Sequence, residues 1–189
     1  MNRQETLDCL DREGIGYELT EHKAVYNMAE LAEVDLPYPH LDAKNLFVRD
    51  DKRLNYYLIT VRGEKRVNLK DFRRQHGTRP LTFASEEELL ELLGLTPGAV
   101  TPLGLLHDTA CRVRFYLDQD FLEEPGIIGI HPNDNTATVW LKKMCIRDRF
   151  GPLVLPVMIS MIMPVFTTVS MGMMRPSTLA PIMRLPTAE

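Results

Sequence analysis

The charge pattern of this chain breaks near residue 143, and the break decides how much of the 189 residues can belong to one folded unit. Residues 150–189 hold seven of the ten methionines and six of the thirteen prolines, but only three charged side chains, Arg175, Arg184 and Glu189. Residues 1–143 carry 18 basic and 24 acidic side chains, an ordinary balance for a globular domain. The expected organisation is a folded domain over 1–143 and a separate Met- and Pro-rich tail over 144–189.

Three readings of the tail compete. Phe150 to Met174 is uncharged and exceeds the roughly 20 apolar residues that a bilayer span needs. Pro152, Pro156 and Pro164 each remove a helix hydrogen bond, and Pro164 falls near the middle of the stretch, which speaks against a span. A disordered extension is the second reading, although so many Met, Val and Ile residues with so little charge would be adhesive in water. The third rests on Met144-Cys145-Ile146-Arg147-Asp148-Arg149, which resembles the translation of a transposase adapter used in sequencing libraries. This last reading is favoured, and it sets the tail outside the fold as a scar would be.

With 44% hydrophobic and 25% charged residues, the chain has ample material for a core. A formal net charge of -4 and a pI near 5.8 exclude a generally basic nucleic-acid coat, so any contact with phosphate must come from a local patch. Cys9, Cys111 and Cys145 are too far apart for a C-x-x-C motif, which fits a reducing compartment. The start, Met1-Asn2-Arg3-Gln4-Glu5 with Asp8 and Asp11 following, has no apolar leader core, so a cytoplasmic protein is expected.

Periodicity places a short helix over Gln4 to Arg12 with Gly14 at its end, then a strand over Tyr17 to Thr20. Asn27 and Glu30 occupy capping-box positions with Tyr26 and Leu31 as a hydrophobic staple, predicting a two-turn helix stopped by Pro37 and Pro39. Lys44 to Arg49 and Leu54 to Val61 flank Asp50-Asp51-Lys52-Arg53 as a hairpin. Asn68 is placed to cap a helix ending at Gly77, and Ser85-Glu86-Glu87-Glu88 opens another ending at Gly94, its acids being first-turn glutamates that the helix dipole favours. Arg112 to Leu117 alternates Val113, Phe115 and Leu117 inward with Arg112, Arg114 and Tyr116 outward. Ile127 to Ile130 and Thr136 to Leu141 form a second hairpin in which Trp140 is a core residue. This mixed order without a βαβ repeat predicts a single α+β domain: a bent, mostly antiparallel sheet, a partly closed barrel, flanked by helices.

No G-x-S-x-G elbow, P-loop, Rossmann glycine pattern or H-E-x-x-H occurs, and five scattered histidines give no zinc cluster, so neither a metal nor a cofactor is expected. Four features remain. Thr96-Pro97-Gly98-Ala99 suits a type II turn opening a Gly/Pro-rich loop, which serves either as a backbone cradle for ligand oxygens or as a rigid connector. Lys44, beside Asn45 at the start of an apolar strand, is either a fixed charge for a phosphate or carbonyl, or a strand lysine facing water. His131 at a hairpin end orients a substrate or caps a turn. Arg62 to Arg79 is the one basic stripe, and Lys65, Arg66, Lys70, Arg73, Arg74 and Arg79, with Lys52 of the first hairpin, are either phosphate contacts or a solvated face.

Lys44-Asn45-Leu46-Phe47-Val48-Arg49, the loop Leu93 to Leu106 and His131-Pro132-Asn133-Asp134-Asn135-Thr136-Ala137-Thr138 together resemble the YbaK/ProX family of aminoacyl-tRNA deacylases, domains also found within bacterial prolyl-tRNA synthetases. The likeness covers residues 4–143 and is nearest the ProX branch, which removes alanine wrongly attached to proline tRNA. It implies a mixed α+β fold, with the family's essential lysine at Lys44, its G-x-x-x-P loop at Gly98-Ala99-Val100-Thr101-Pro102 and its pocket histidine at His131. The family's usual C-terminal strand and helix are not recognisable after Lys143.

An aminoacyl ester is already activated, so its hydrolysis needs a positioned water and oxyanion stabilisation more than a strong nucleophile. The resemblance then assigns Lys44 to the terminal adenosine phosphate or the ester carbonyl, and the non-proline N–H groups of Gly98 to Pro102 to substrate oxygens. His131 shapes a small amino-acid pocket, and the ribose 2′-hydroxyl assists. The implied partners are mischarged tRNA, with Ala-tRNA(Pro) first and Cys-tRNA(Pro) an alternative, and prolyl-tRNA synthetase. The competing class is a non-catalytic module that binds tRNA or a synthetase.

Overall fold

Local hydrogen bonding sets the helix ends. The computed structural model describes residues 1–25, 30 and 34–142 together with the backbone of Ile162–Met163. Helix α1 (Arg3–Arg12) begins one residue earlier than its apolar spacing predicts because Asn2 caps it. The Asn2 side chain accepts from the Glu5 N–H at 2.9 Å, and the Glu5 carboxylate accepts from the Asn2 N–H at 3.0 Å. Helix α2 (Leu69–His76) starts at the Asn68 cap and stops at Gly77, and α3 (Glu86–Leu93) starts at the Ser85/Glu88 capping box and stops at Gly94, as the sequence leads one to expect. The helix expected after Asn27 lies outside the described residues, as do Tyr26 and Leu31, apart from Glu30, which is helical.

Two sheets carry the rest. The first has β1 (Tyr17–Glu21), β7 (Ala137–Lys142) and β6 (Ile127–Ile130) in that spatial order, both pairings antiparallel. The second runs β4 (Leu81–Phe83), β2 (Ala43–Asp50), β3 (Tyr56–Arg62), β5 (Val113–Asp118) and β8 (Ile162–Met163), with β4, β2 and β3 antiparallel and β3, β5 and β8 parallel. A parallel bridge between Asp42 and Gly129 joins them, the Gly129 N–H donating to the Leu41 carbonyl at 2.9 Å. This joint bends the α+β sheet into a partly closed form.

Each face of the larger sheet has its own core. Phe47, Leu58 and Phe115 pack with Leu10, Leu93 and Leu103 on one face. Val48, Tyr57, Ile59 and Val61 pack with Phe72 and Tyr116 on the other. Tyr116 therefore departs from the half-buried pattern expected of β5. The parallel β3–β5 pair needs a crossover, and that crossover lays α2 over the second face. Phe72 and His76 then both pack edge-on against Tyr116, at 4.8 Å each. In the smaller sheet Trp140 is buried, as expected, with its indole N–H donating to Thr20 Oγ1 at 2.9 Å. Its ring lies across Gly129, where an added Cβ would stand 2.4 Å from Cζ3. Among the described residues no helix is long and apolar enough to cross a membrane.

Candidate active site

β2 pairs with β3 along its whole length, but its other edge is engaged only at the ends. Asp42 bridges Gly129 just before the strand begins, and Val48–Asp50 pair with β4. Between these contacts the edge over Lys44, Asn45 and Leu46 has no strand partner among the described residues. Strand alternation sends Lys44 and Asn45 to opposite faces of this open edge.

Lys44 shares its face with Leu46 and Val48, and its ammonium donates to the Lys65 carbonyl. Burial lowers its pKa, the positive charge of Arg66 lowers it further, and no carboxylate among the described residues forms an ion pair with it. Asn45 turns to the opposite face, where its Nδ2 donates to the Val100 carbonyl at 2.9 Å and its Oδ1 accepts from Thr60 Oγ1 at 2.7 Å. Thr60 is fully buried, so the tether operates away from water.

The tethered loop has the expected turn at its start. The Ala99 N–H donates to the Thr96 carbonyl at 3.1 Å, and Gly98 adopts φ +86, a conformation that any Cβ would strain. The turn therefore occupies the Ala99 N–H, and the N–H groups of Gly98, Val100 and Thr101 have no acceptor among the described residues. Thr101 caps the 3-10 helix Pro102–Leu106, its hydroxyl accepting from the Leu103 N–H at 3.4 Å. Ala99, Thr101 and Pro102 are buried, forming the base of the loop, while Gly98 and Val100 are half-buried at its surface.

His131 immediately follows β6, two residues past the bridged Gly129, as Lys44 lies two residues past Asp42. That register puts Lys44 and His131 on one side of the open edge, with Asn45 and the loop on the other. The ring nitrogen Nδ1 of His131 is 2.9 Å from the Ala137 carbonyl, which can only accept, so Nδ1 carries the proton and Nε2 offers a lone pair. Burial lowers the His131 pKa against the pull of that carbonyl, and His22, with its ring centre 6.0 Å away, lowers it further. The arrangement sets a half-buried cation, an imidazole and uncommitted N–H groups around one strand edge, which suits stabilisation of a developing oxyanion. Among the described residues no group of three or more His, Cys, Asp or Glu side chains could hold a metal.

The basic stripe divides into two kinds. Lys65 turns inward: its ammonium lies 2.6 Å from Asp118 and 2.6 Å from Asp120, with the side chain only 13% exposed. It is thus a half-buried ion-pair member, where the sequence left open a phosphate contact or a solvated face, because its two acid partners come from the remote end of β5 and the turn that follows it. Arg79 is held bidentately by Asp51 at 2.6 and 3.0 Å, and Arg74 pairs with Asp71 at 3.3 Å. Lys52, Arg66, Lys70 and Arg73 are exposed and have no ion-pair partner among the described residues. Sequence reasoning missed Thr60, His22 and Asp118, none of which stands in a motif of its own.

A bent α+β sheet whose open edge carries a lysine, an asparagine-tethered G-x-x-x-P loop and a neighbouring histidine defines a class, and comparison with known families agrees. The Aminoacyl-tRNA editing domain family matches residues 22–148, and the chain belongs to that family, whose members deacylate aminoacyl-tRNA. The Prolyl-tRNA editing protein ProX of Acetoanaerobium sticklandii is 37% identical over 139 residues, covering 74% of this chain and 84% of the relative. The Prolyl-tRNA synthetase associated domain-containing protein 1 of Mus musculus is 36% identical over 148 residues, covering 74% and 83%. A crystal structure of a candidate trans-editing enzyme for prolyl tRNA synthetase superposes with a TM-score of 0.60 at 23% identity, covering 85% of this chain and 96% of the other, and shares the fold. The resemblance read from the sequence holds.

Proposed function

We propose that this chain acts in trans on mischarged proline tRNA and hydrolyses the ester that joins alanine to its 3′ end. The observation that carries this reading is the open edge of β2, where an unpaired Lys44 ammonium and an Asn45-tethered loop flank the same three residues. Water adds to the ester carbon, the carbonyl electrons move to oxygen, and the resulting oxyanion is met by the Lys44 ammonium or by the N–H groups of Gly98 and Val100. Collapse breaks the bond to the ribose oxygen, which takes up the proton given up by the attacking water, so the products are the free amino acid and a ribose hydroxyl. The His131 Nε2 lone pair accepts a hydrogen bond from the aminoacyl ammonium group. Selection is by size: the site admits alanine and excludes the larger proline, and so acts as a second sieve.

Arg66, Lys70, Arg73 and Lys52 are the surface cations for the tRNA backbone, prolyl-tRNA synthetase is the source of the mischarged substrate, and the cytoplasm is where the two meet. Function resides in residues 1–143. Ile162–Met163, the described part of the tail, lie beside β5, with β3 and β5 between them and the Lys44 strand, and resequencing beyond the Lys143 codon tests whether 144–189 belongs to the protein at all.

The test is deacylation of Ala-tRNA(Pro), Cys-tRNA(Pro) and Pro-tRNA(Pro) by the whole chain and by Lys44→Ala. The wild type is expected to release alanine and spare proline, and Lys44→Ala to lose about 100-fold or more in kcat with an unchanged circular dichroism spectrum. Equal turnover by the variant refutes the assignment of Lys44. Preference for Cys-tRNA(Pro) changes the substrate, and tight tRNA binding by a wild type that hydrolyses none of the three identifies a binding module.

A further inference from the structure

Three charged side chains, Lys65, Asp118 and Asp120, gather at the turn between β3 and α2, on the face of the sheet that carries Lys44, and the chemistry above uses none of them. Lys65 lies in this turn, which is closed by its N–H donating to the Arg62 carbonyl at 2.9 Å and anchored by the Gly63 N–H donating to the Asp42 carbonyl at 3.0 Å. The Lys65 ammonium sits between Asp118, whose side chain is fully buried, and Asp120. Asp118 also accepts from the Asp120 N–H at 3.2 Å, so one short 3-10 turn, Gln119–Leu122, sets both acids. Arg62 steadies the same turn, donating to the Asp120 carbonyl at 2.7 Å with its guanidinium 5.9 Å from the centre of the Phe121 ring. Burial alone would lower the Lys65 pKa, but the two carboxylates outweigh it and raise the value, so this ammonium is held charged.

The strand register shows what the clamp does for Lys44. Lys44 pairs with Val61 across β2 and β3, and Thr60 pairs with Leu117 across β3 and β5, so Lys44 and Asp118 flank Val61 on a single face. Their backbones are two strand spacings apart, about 10 Å, a gap that a flexible lysine can close. Lys65 occupies the ground between them: its side chain takes both carboxylates, and its carbonyl accepts from Lys44.

We propose that Lys65 is a positioning residue, clamped by Asp118 and Asp120 so that its carbonyl aims the Lys44 ammonium at the open edge of β2 while both acids are kept from pairing with it. The proposal rests on the deacylase reading. Its chemistry is a matter of charge: a Lys44 paired with a carboxylate has a neutralised field and offers little to a developing oxyanion.

Two variants of the whole chain test it, Lys65→Met and the triple Lys65→Met/Asp118→Asn/Asp120→Asn. Both are assayed for deacylation of mischarged tRNA and for the Lys44 pKa by carbon-13 NMR titration, its signal being assigned with Lys44→Arg. Wild-type turnover is the control: its absence removes the functional reading, whereas the NMR titration still reports whether Lys65 shields Lys44 from the acids. Lys65→Met is expected to raise the Lys44 pKa and to cut kcat about 30-fold or more with KM within about threefold. The triple variant carries no orphaned carboxylate, so its Lys44 pKa returns toward the wild-type value and its kcat recovers to within about tenfold of wild type. If Lys65→Met does not fold, the triple variant decides by the same two readouts. An unmoved Lys44 pKa in Lys65→Met, or a folded triple variant as inactive as Lys44→Ala, overturns the proposal. So does a loss confined to KM with a shallower salt dependence, which marks Lys65 as a phosphate contact.

Discussion

Asn45 is the most economical point at which to break the site. Its two hydrogen bonds tie the loop and β3 to the open strand, and replacing it with alanine removes both. Each contributes about 0.5–1.5 kcal/mol, and the buried Thr60 hydroxyl left without its acceptor costs about 1–3 kcal/mol more. A destabilisation of about 2–6 kcal/mol follows, which for a domain of this size lowers Tm by roughly 4–24 °C. Asn45→Asp is the sharper probe because it is isosteric. It retains an acceptor for Thr60 but sets a carboxylate oxygen against the Val100 carbonyl, so the loop is pushed from the strand while the fold survives. The expected result is a fall in kcat/KM of about 10- to 100-fold, equivalent to about 1.4–2.8 kcal/mol, with a smaller Tm change than in Asn45→Ala. Protonation of that carboxyl restores a donor toward Val100, so the ratio of variant to wild-type activity rises as the pH falls. Thermal unfolding followed by circular dichroism and steady-state deacylation at several pH values measure all of this. Asn45→Asp with kcat/KM within twofold of wild type would show that the tether does not hold the loop in its working position.

Gly129→Ala forces a Cβ to within 2.4 Å of the buried Trp140 ring, and overpacking of this kind costs about 1–3 kcal/mol, read as a lower urea midpoint. Trp140→Phe in the same chain should recover part of that loss. Neutralising Arg66, Lys70 or Arg73 should reduce the slope of log KM against log salt concentration by about 0.7–0.9 each, whereas Arg79→Gln, whose guanidinium is already held by Asp51, should leave the slope nearly unchanged. Burial lowers the pKa of both His131 and His76 below the ordinary 6.5. The unfolded chain therefore binds protons more readily than the folded one below that value, so stability is full above pH 6.5 and declines as the pH falls toward the folded-state values. A urea midpoint that rises between pH 7.5 and pH 5.5 contradicts this sign.

What the sequence disclosed was local. Asn68 and Gly77, Ser85 and Gly94, and the Thr96-Pro97-Gly98-Ala99 turn each carry their geometry within a few residues, and each forms where expected. Tyr116 was unreadable because its burial depends on α2, a helix some forty positions upstream that covers the second face of β5. Lys65 was misread for the same reason: in a run of basic residues it looks solvated, and only the parallel β3–β5 register brings Asp118 and Asp120 beside it. The family resemblance grouped Lys44, Asn45 and the loop as a set. It could not show that they reach the strand from opposite faces, since strand phase becomes visible only once the pairing partners are known.

The parallel adjacency of β3 and β5 obliges everything from Gly63 to Arg112 to travel as one long excursion, touching the sheet only where β4 pairs with the far edge of β2, before the chain returns to the side of β3. The Lys65 turn sits near the departure of that excursion and the Gly98 loop near its return, so neither end is in place until the loop of chain has closed. A ribosome-bound fragment lacking β5 would own every motif of the first hundred residues and still have no competent centre. Catalytic competence in this architecture is an all-or-none property of the finished topology, and onset of turnover during refolding should coincide with the slowest step that docks β5 against β3.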